Sequence, residues 1–453
     1  MHRLINRGTK VMKNKIIKSV LVLGTIVAMT ACNSGNTLKA SKLLRSPDGL
    51  DHSYTYEQYS DPNYQEFKNK LSVFSSKIAD AFVKSNFKAD ENITISPFSI
   101  EMCLGLAIRS TSGNTRKELL DAMDIDYETF NQYYKLLFNE MQFERHGDNN
   151  DLMSQLLITN SIWIDDEITL YDKTLDALRD DYYCYSYHSD FNGNNKKSCE
   201  DIQKFIYDKT KGLLNPNIEL DIRTLFVLLN TLYLKDVWND AGVDLSYTNT
   251  DVHFTNYDQS VSSKRLLEGG YRNGKVLATD NYSSFYTTTE SNFHIYFVKP
   301  NDGKRIQEVF DKEAMSYVTN TKNYVYQDDE KLERYHTKCI FPEYTAESDI
   351  DLKNMLINTF GIKDLFDETI CDFSSITDKD AFVTDVRHLA KLKVDKTGIE
   401  GAAVTYMVAG ATGMPDQQYQ DIYDTFVVDK EFGFILTLGD AVLFSGIVTN
   451  IDK

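Results

Sequence analysis

The chain has 453 residues, 42% hydrophobic and 26% charged, with only 7 Pro and 22 Gly; this excludes collagen-like, low-complexity and wholly disordered proteins and leaves room for a large core. Acidic residues outnumber basic ones 67 to 49, for a net charge of −18. No dense Lys/Arg block stands out beyond the N-terminus, so nucleic acid, polyanions and acidic membrane surfaces are poor candidate partners.

The first segment reads as an address. Lys13, Lys15 and Lys18 precede an apolar run over residues 19–28, and Met29-Thr30-Ala31-Cys32 follows. A basic start, a short apolar run and small residues before a cut site make a secretory signal over residues 1–31; a start at Met12 fits the same pattern. The apolar run is short for a membrane span. Met29-Thr30-Ala31-Cys32 resembles the lipobox of bacterial lipoproteins, with Met29 where that pattern prefers Leu. The resemblance implies lipid attachment at Cys32. It also implies secretion across the inner membrane and anchoring in the bacterial envelope, facing the periplasm or the cell exterior. An ordinary cleaved signal is the alternative. Residues 32–61 are polar and read as a flexible tether.

Residues 62–453 read as one domain. Phe67, Leu71, Phe74, Ile78, Phe82 and Val83 recur near helical spacing over residues 64–85. A short β-rich run covers 92–96. Pro97 then opens a helix whose apolar content is Ile100, Leu104, Leu106, Ala107 and Ile108. Asn114 or Thr115 caps another helix over 116–123. Residues 225–229 read as a strand buried on both faces, and 426–428 and 442–448 close the chain as strands. Helices dominate early and strands late, which predicts an α+β fold with large sheets. Cys103, Cys184, Cys199, Cys339 and Cys371 are odd in number and scattered, so no disulfide framework is expected. They read as buried single thiols, with a Cys184–Cys199 pair left open.

Signatures of catalysis are missing. There is no Gly-x-Ser-x-Gly, His-Glu-x-x-His, Gly-x-x-x-x-Gly-Lys-Ser/Thr or Gly-x-Gly-x-x-Gly. The eight His are dispersed, and no two share a metal-ligand spacing on one helix face. The chain is therefore expected to be no enzyme and to need neither metal nor cofactor. An envelope hydrolase would require a nucleophile and base assembled in space.

Several segments resemble the serpins, in the order that family has them. Asn92-Ile93-Thr94-Ile95-Ser96-Pro97-Phe98-Ser99-Ile100 resembles the family's Asn-Ile-x-x-Ser-Pro-x-Ser-Ile, and Gly113-Asn114-Thr115 matches the turn before its fourth helix. The segment Asn230-Thr231-Leu232-Tyr233-Leu234-Lys235-Asp236-Val237-Trp238 resembles its Asn-x-x-(aromatic)-x-Lys-Gly-x-Trp strand, with Asp236 in place of Gly. Phe341-Pro342, the Leu352/Leu356/Phe360 helix and Asp372-Phe373-Ser374 follow. Val428-Asp429-Lys430-Glu431-Phe432-Gly433-Phe434 resembles the C-terminal signature, with Glu431 in place of Pro. The resemblance runs from about residue 64 to 452. It implies a large central mixed sheet, two further sheets, eight to nine helices and an exposed reactive-centre loop over about 396–421. Ser96, Ser99, Asn230 and His388 would form the shutter under that sheet, with a His388–Asn230 hydrogen bond. Trp238 would stand at the breach, the top of the sheet.

Residues 401–415 carry no charge and are mostly Gly, Ala, Val and Thr. Such a run is a poor free loop, but it suits a segment that must enter a sheet already packed. Thr397-Gly398-Ile399-Glu400-Gly401-Ala402-Ala403-Val404-Thr405 resembles the serpin hinge, with Ile399 where a smaller residue is usual. The resemblance implies a protease inhibitor that acts as a suicide substrate. A serine endopeptidase, or a cysteine one, cuts the loop and is trapped as an acyl-enzyme while the loop inserts. Fourteen residues beyond Gly398, the bait bond falls at Thr412–Gly413, with Ala411 as the alternative in a lengthened loop. Thr or Ala before the cut suits an elastase-like target with a small primary pocket. A monomer is expected. A non-inhibitory serpin serving as a surface binding module is the rival reading, kept open by Ile399. Within the inhibitory reading, Ala402→Arg should turn inhibitor into substrate by burying a charge on insertion.

Overall fold

The computed structural model describes residues 38–453, except 52, 148, 149, 222, 240, 241, 385 and 401–418. Eight strands build the central sheet: β1 (Ser41–Arg45), β3 (Phe143–His146), β4 (Leu152–Asp165), β5 (Cys184–Ser189), β6 (Phe226–Val237), β16 (Tyr344–Asp351), β17 (Arg387–Asp395) and β18 (Gly398–Ile399). Their order is β1-β5-β4-β6-β18-β17-β16, with β3 paired beside β4. A six-stranded sheet holds β2 (Ile93–Ile95), β11 (Leu277–Ala278), β12 (Tyr282–Thr288), β13 (Phe293–Pro300), β20 (Phe432–Leu438) and β21 (Ala441–Val448). A five-stranded sheet holds β7 (Ser246–Tyr247), β10 (Leu267–Asn273), β14 (Gln327–Asp328), β15 (Glu333–Phe341) and β19 (Gln420–Val427). The pair β8 (Val252–Thr255) and β9 (Val261–Lys264) stands apart.

The helices are α1 (Tyr56–Tyr59), α2 (Pro62–Asn86), α3 (Pro97–Ser110), α4 (Gly113–Met123), α5 (Tyr127–Met141), α6 (Asp172–Tyr182), α7 (Asn195–Lys209), α8 (Ile306–Val309), α9 (Lys312–Thr319) and α10 (Lys353–Phe360). Two of them, α1 and α8, are single turns of 4 residues, so among the described residues the longer ones fall within the expected eight to nine. Helix α3 starts at Pro97 as expected, while α2 starts at Pro62, two residues before the expected run and capped by a residue expected in the tether. Asp61 caps α2 by accepting from the Asn63 N–H at 2.9 Å, with Pro62 in the first turn. Buried Phe67, Leu71, Phe74, Ile78 and Phe82 form the inward stripe of α2. The main core lies where α2 and α3 pack against β21 and β6. A second, smaller core forms where α7 packs on the sheet: Trp163 stacks on Tyr187 at 4.1 Å, beside Phe205 and Ile206.

Two features of the central sheet position the site. First, β6 and β17 run parallel, and β18 is antiparallel to both. Among the described residues β18 alone links them, at the end of β6. Below it a cleft runs between residues 228–232 of β6 and 387–391 of β17, floored by Ser96, Ser99 and Cys103 of α3 and its cap. The strand expected to be buried on both faces is therefore only half-buried over 227–230, because one of its edges borders the cleft.

Second, the polar segment expected as a tether is part of the fold from residue 38. Strand β1 pairs antiparallel with β5 at the sheet edge. Composition gave no sign of this, because the segment is held by polar groups. Buried Asp201 of α7 accepts the Lys39 N–H at 2.8 Å and the Ala40 N–H at 2.8 Å. Arg45 pairs with Asp172 at 2.7 Å and Asp176 at 2.9 Å. The hinge departs from expectation in the same direction: Gly398 and Ile399 are already a strand of the sheet.

Candidate functional site

The cleft is floored by the start of α3. Ser96 caps that helix, its Oγ accepting the Ser99 N–H at 3.3 Å. The Ser96 N–H donates to Nε2 of His388 at 3.0 Å. Ser99 Oγ donates to Oδ1 of Asn230 at 2.6 Å. All four expected shutter residues thus converge, but the expected His388–Asn230 hydrogen bond is not made. At this level β6 and β17 stand apart, and each residue bonds instead to the capped helix start below it. His388 is buried, and desolvation holds it down to about 4. It is neutral at physiological pH and acts as an acceptor at Nε2.

Sequence reasoning missed Asn160 of β4. Asn230 Nδ2 donates to Asn160 Oδ1 at 2.8 Å. Asn160 Nδ2 donates in turn to Tyr134 Oη at 2.9 Å and to the Tyr182 carbonyl at 2.7 Å. A fully buried amide in the apolar run Leu156-Leu157-Ile158-Thr159-Asn160-Ser161-Ile162 was the available signal.

The upper end of the cleft is closed by Trp238, expected at the breach, and by Gly398, Ile399 and Glu400 of the expected hinge. Trp238 donates its indole N–H to the Asp395 carbonyl at 2.6 Å and meets Phe341 edge-on at 5.6 Å. Gly398 has φ +151°, and a Cβ there would lie 1.9 Å from the Asp236 carbonyl oxygen. Only glycine permits that approach. Ile399, the bulky departure, is fully buried between Asp236 and Val394. Glu400 donates its N–H to the Lys393 carbonyl at 3.1 Å, and its φ of 47° turns the chain. Burial raises the Glu400 carboxyl above the usual carboxylate range. Gly401, Ala402, Ala403, Ala411, Thr412, Gly413 and Cys32 lie outside the described residues.

All five described cysteines, Cys103, Cys184, Cys199, Cys339 and Cys371, are free thiols. Among the described residues, no group of three or more His, Cys, Asp or Glu could hold a metal ion. No helix among them is long and apolar enough to cross a membrane.

Two parallel strands of the central sheet, joined at one end by a two-residue antiparallel strand and open to a cleft below it, define the structural class. Comparison with known proteins gives the class its family. Residues 69–451 match the family Serpin (serine protease inhibitor). The chain is 26% identical over 328 residues to a serpin-like protein of Methanosarcina acetivorans, covering 70% of this chain and 72% of that one. It is 26% identical to Iripin-1 of Ixodes ricinus, covering 80% and 90%. Among solved structures it resembles Serpin48 of Tenebrio molitor, with a TM-score of 0.70, 19% identity and coverage of 85% and 98%. It also resembles the native state of the thermophilic serpin tengpin, with a TM-score of 0.67, 18% identity and coverage of 91% and 100%. The chain belongs to the serpin family. Membership sets it among protease inhibitors rather than catalysts.

Proposed function

We propose that this serpin traps an endopeptidase as a suicide substrate by inserting its cut loop into the β6–β17 cleft. The observation that carries the reading is the register of β18. Gly398 pairs with Val237 and Asp395, and Ile399 with Asp236 and Val394. Continued unchanged, that register sets Gly401 between Leu234 and Leu392. Ala403 falls between Leu232 and Ala390, and Thr405 between Asn230 and His388. These positions share the core face with Ile399. The small residues fit against apolar neighbours, and the Thr405 hydroxyl meets the polar pair. Glu400, Ala402 and Val404 take the outer face beside Lys235, Tyr233 and Thr231. The uncharged run from 401 to 415 suits both faces. On this register Ala402 would take the outer row, and the sharper test of burial moves to Ala403. Ile399 is no obstacle, since its side chain is already accommodated.

On this reading the protease nucleophile attacks the Thr412 carbonyl, the Thr412–Gly413 bond breaks, and Gly413 leaves as a new amino terminus. Insertion then outruns hydrolysis of the ester. A small residue before the bond favours an elastase-like enzyme. Lipid at Cys32 would hold the inhibitor in the envelope. The test is incubation with an elastase-like protease. An SDS-stable complex supports the reading. Complete loop cleavage with fully active protease favours the non-inhibitory binding module.

A further inference from the structure

Asp236 stands where the serpin pattern has glycine, and its side chain has no exposed surface. Among the described residues no cation pairs with it. A carboxylate buried without a counter-ion is costly unless hydrogen bonds satisfy it. Here they do. Ser154 Oγ of β4 donates to Oδ1. The Val237 N–H donates to Oδ1 at 3.0 Å. The Ser291 N–H donates to Oδ2 at 2.9 Å, and Ser291 Oγ donates to Oδ1 at 3.2 Å. Ser291 lies in the turn between β12 and β13, so the carboxylate joins β4, β6 and the six-stranded sheet. The same turn grips β6 twice more: the Glu290 N–H donates to the Val237 carbonyl at 2.9 Å, and Trp238 bridges Thr289.

The backbone of the same residue faces the other way. It pairs with Ile399, and its carbonyl oxygen is the atom that Gly398 approaches so closely. Asp236 therefore anchors the end of β6 with its side chain and receives the hinge with its main chain. A strand zipping into the cleft inherits the register of its first pair. A slip of one residue would exchange the two faces. Glu400 and Ala402 would then point into the core, and Gly401, Ala403 and Thr405 outward.

We propose that Asp236 is a positioning residue for strand insertion: its carboxylate fixes the end of β6 so that residues 398–400 enter in the one productive register. The inference rests on the insertion reading above. The test compares Asp236→Gly, Asp236→Asn and Ser291→Ala with the unmodified protein. Asparagine keeps an acceptor for the Ser291 N–H and can donate to Ser154 Oγ, but its amide nitrogen cannot accept the Val237 N–H, so it should restore part of what glycine loses. Three quantities are read: the fraction of protease encounters ending in covalent complex, the rate of loop cleavage, and the rate at which a fluorescein-labelled peptide of sequence 400–412 anneals to the uncut protein. Asp236→Gly should lower complex yield and annealing by about fivefold or more, with loop cleavage within about twofold. Ser291→Ala and Asp236→Asn should each fall between Asp236→Gly and the unmodified protein. A merely structural role would lower thermal stability without this split.

Annealing and partition at unmodified levels in Asp236→Gly overturn the proposal, and so does Asp236→Asn as impaired as Asp236→Gly. If Asp236→Gly does not fold, Ser291→Ala at unmodified levels does the same. An unmodified protein that forms no complex with any protease refutes the inhibitory reading instead, and peptide annealing still decides the role of Asp236. Failure of the peptide to anneal to the unmodified protein overturns the proposal as well.

Discussion

Ala403→Arg is the substitution that tests insertion most severely. On the exposed-loop reading, a guanidinium at position 403 would stay hydrated before insertion and cost little. In the register of β18 it would enter the core face between Leu232, which is 8% exposed, and Ala390, which is 2% exposed. No carboxylate faces that position on β6 or β17, where Leu232 and Leu234 alternate with Tyr233, and Ala390 and Leu392 with Lys391. An uncompensated buried charge costs about 3–5 kcal/mol. If half of that is felt in the rate-limiting stage of insertion, about 2 kcal/mol slows it roughly 30-fold. Hydrolysis of the acyl-enzyme then wins, and most encounters end in free protease. Ala402→Arg is the control. Its side chain would share the outer face with Tyr233 and with Lys391, a charge already accommodated there beside Glu347 at 2.8 Å, and the loss should stay below about threefold. The assay is the molar ratio of inhibitor consumed to protease trapped, together with the gain in Tm after loop cleavage. Equal effects of the two substitutions would refute the register. Unmodified behaviour in both would refute insertion itself.

Three further outcomes follow from the geometry. Gly398→Ala drives a Cβ against the Asp236 carbonyl, so the hinge strand should leave the sheet and free the Trp238 indole from Asp395, read as a shift in tryptophan emission. His388 is held down to about 4 by burial, below its ordinary 6.5. Its neutral form therefore favours the folded state, and that contribution is complete above pH 6.5. As pH falls towards 4 the unfolded chain binds the proton first, and about 3 kcal/mol is lost; His388→Asn should flatten this slope in urea titrations across that window. Asp201→Ala removes the acceptor of two backbone N–H groups, at 2.8 Å each, and should cost about 1–3 kcal/mol and expose residues 38–45 to limited proteolysis.

The fold was legible because its signals are local. Pro97 at the start of α3, the apolar stripe of α2 and the closing strands each lie within a short window. The shutter was legible as a set of residues but not as a set of bonds. His388 and Asn230 sit on strands whose separation only tertiary structure reveals. Ser291 bonds Asp236 across 55 residues with no pattern to announce it. Asn160 looked like one polar residue in an apolar strand until Asn230 and Tyr134 closed around it. Strand β1 was unreadable for the opposite reason. Its fixings are main-chain N–H groups on a distant carboxylate, and periodicity cannot register them.

Strand β1 also sets a length. A free tether from Cys32 to residue 61 could extend about 100 Å. With Lys39 fastened to Asp201, the chain from Cys32 to Lys39 can span at most about 25 Å. On the lipid-anchor reading, the leash is shorter than the body it holds. The inhibitor would ride against the bilayer and sweep a thin shell, and a protease would meet it only at the membrane surface.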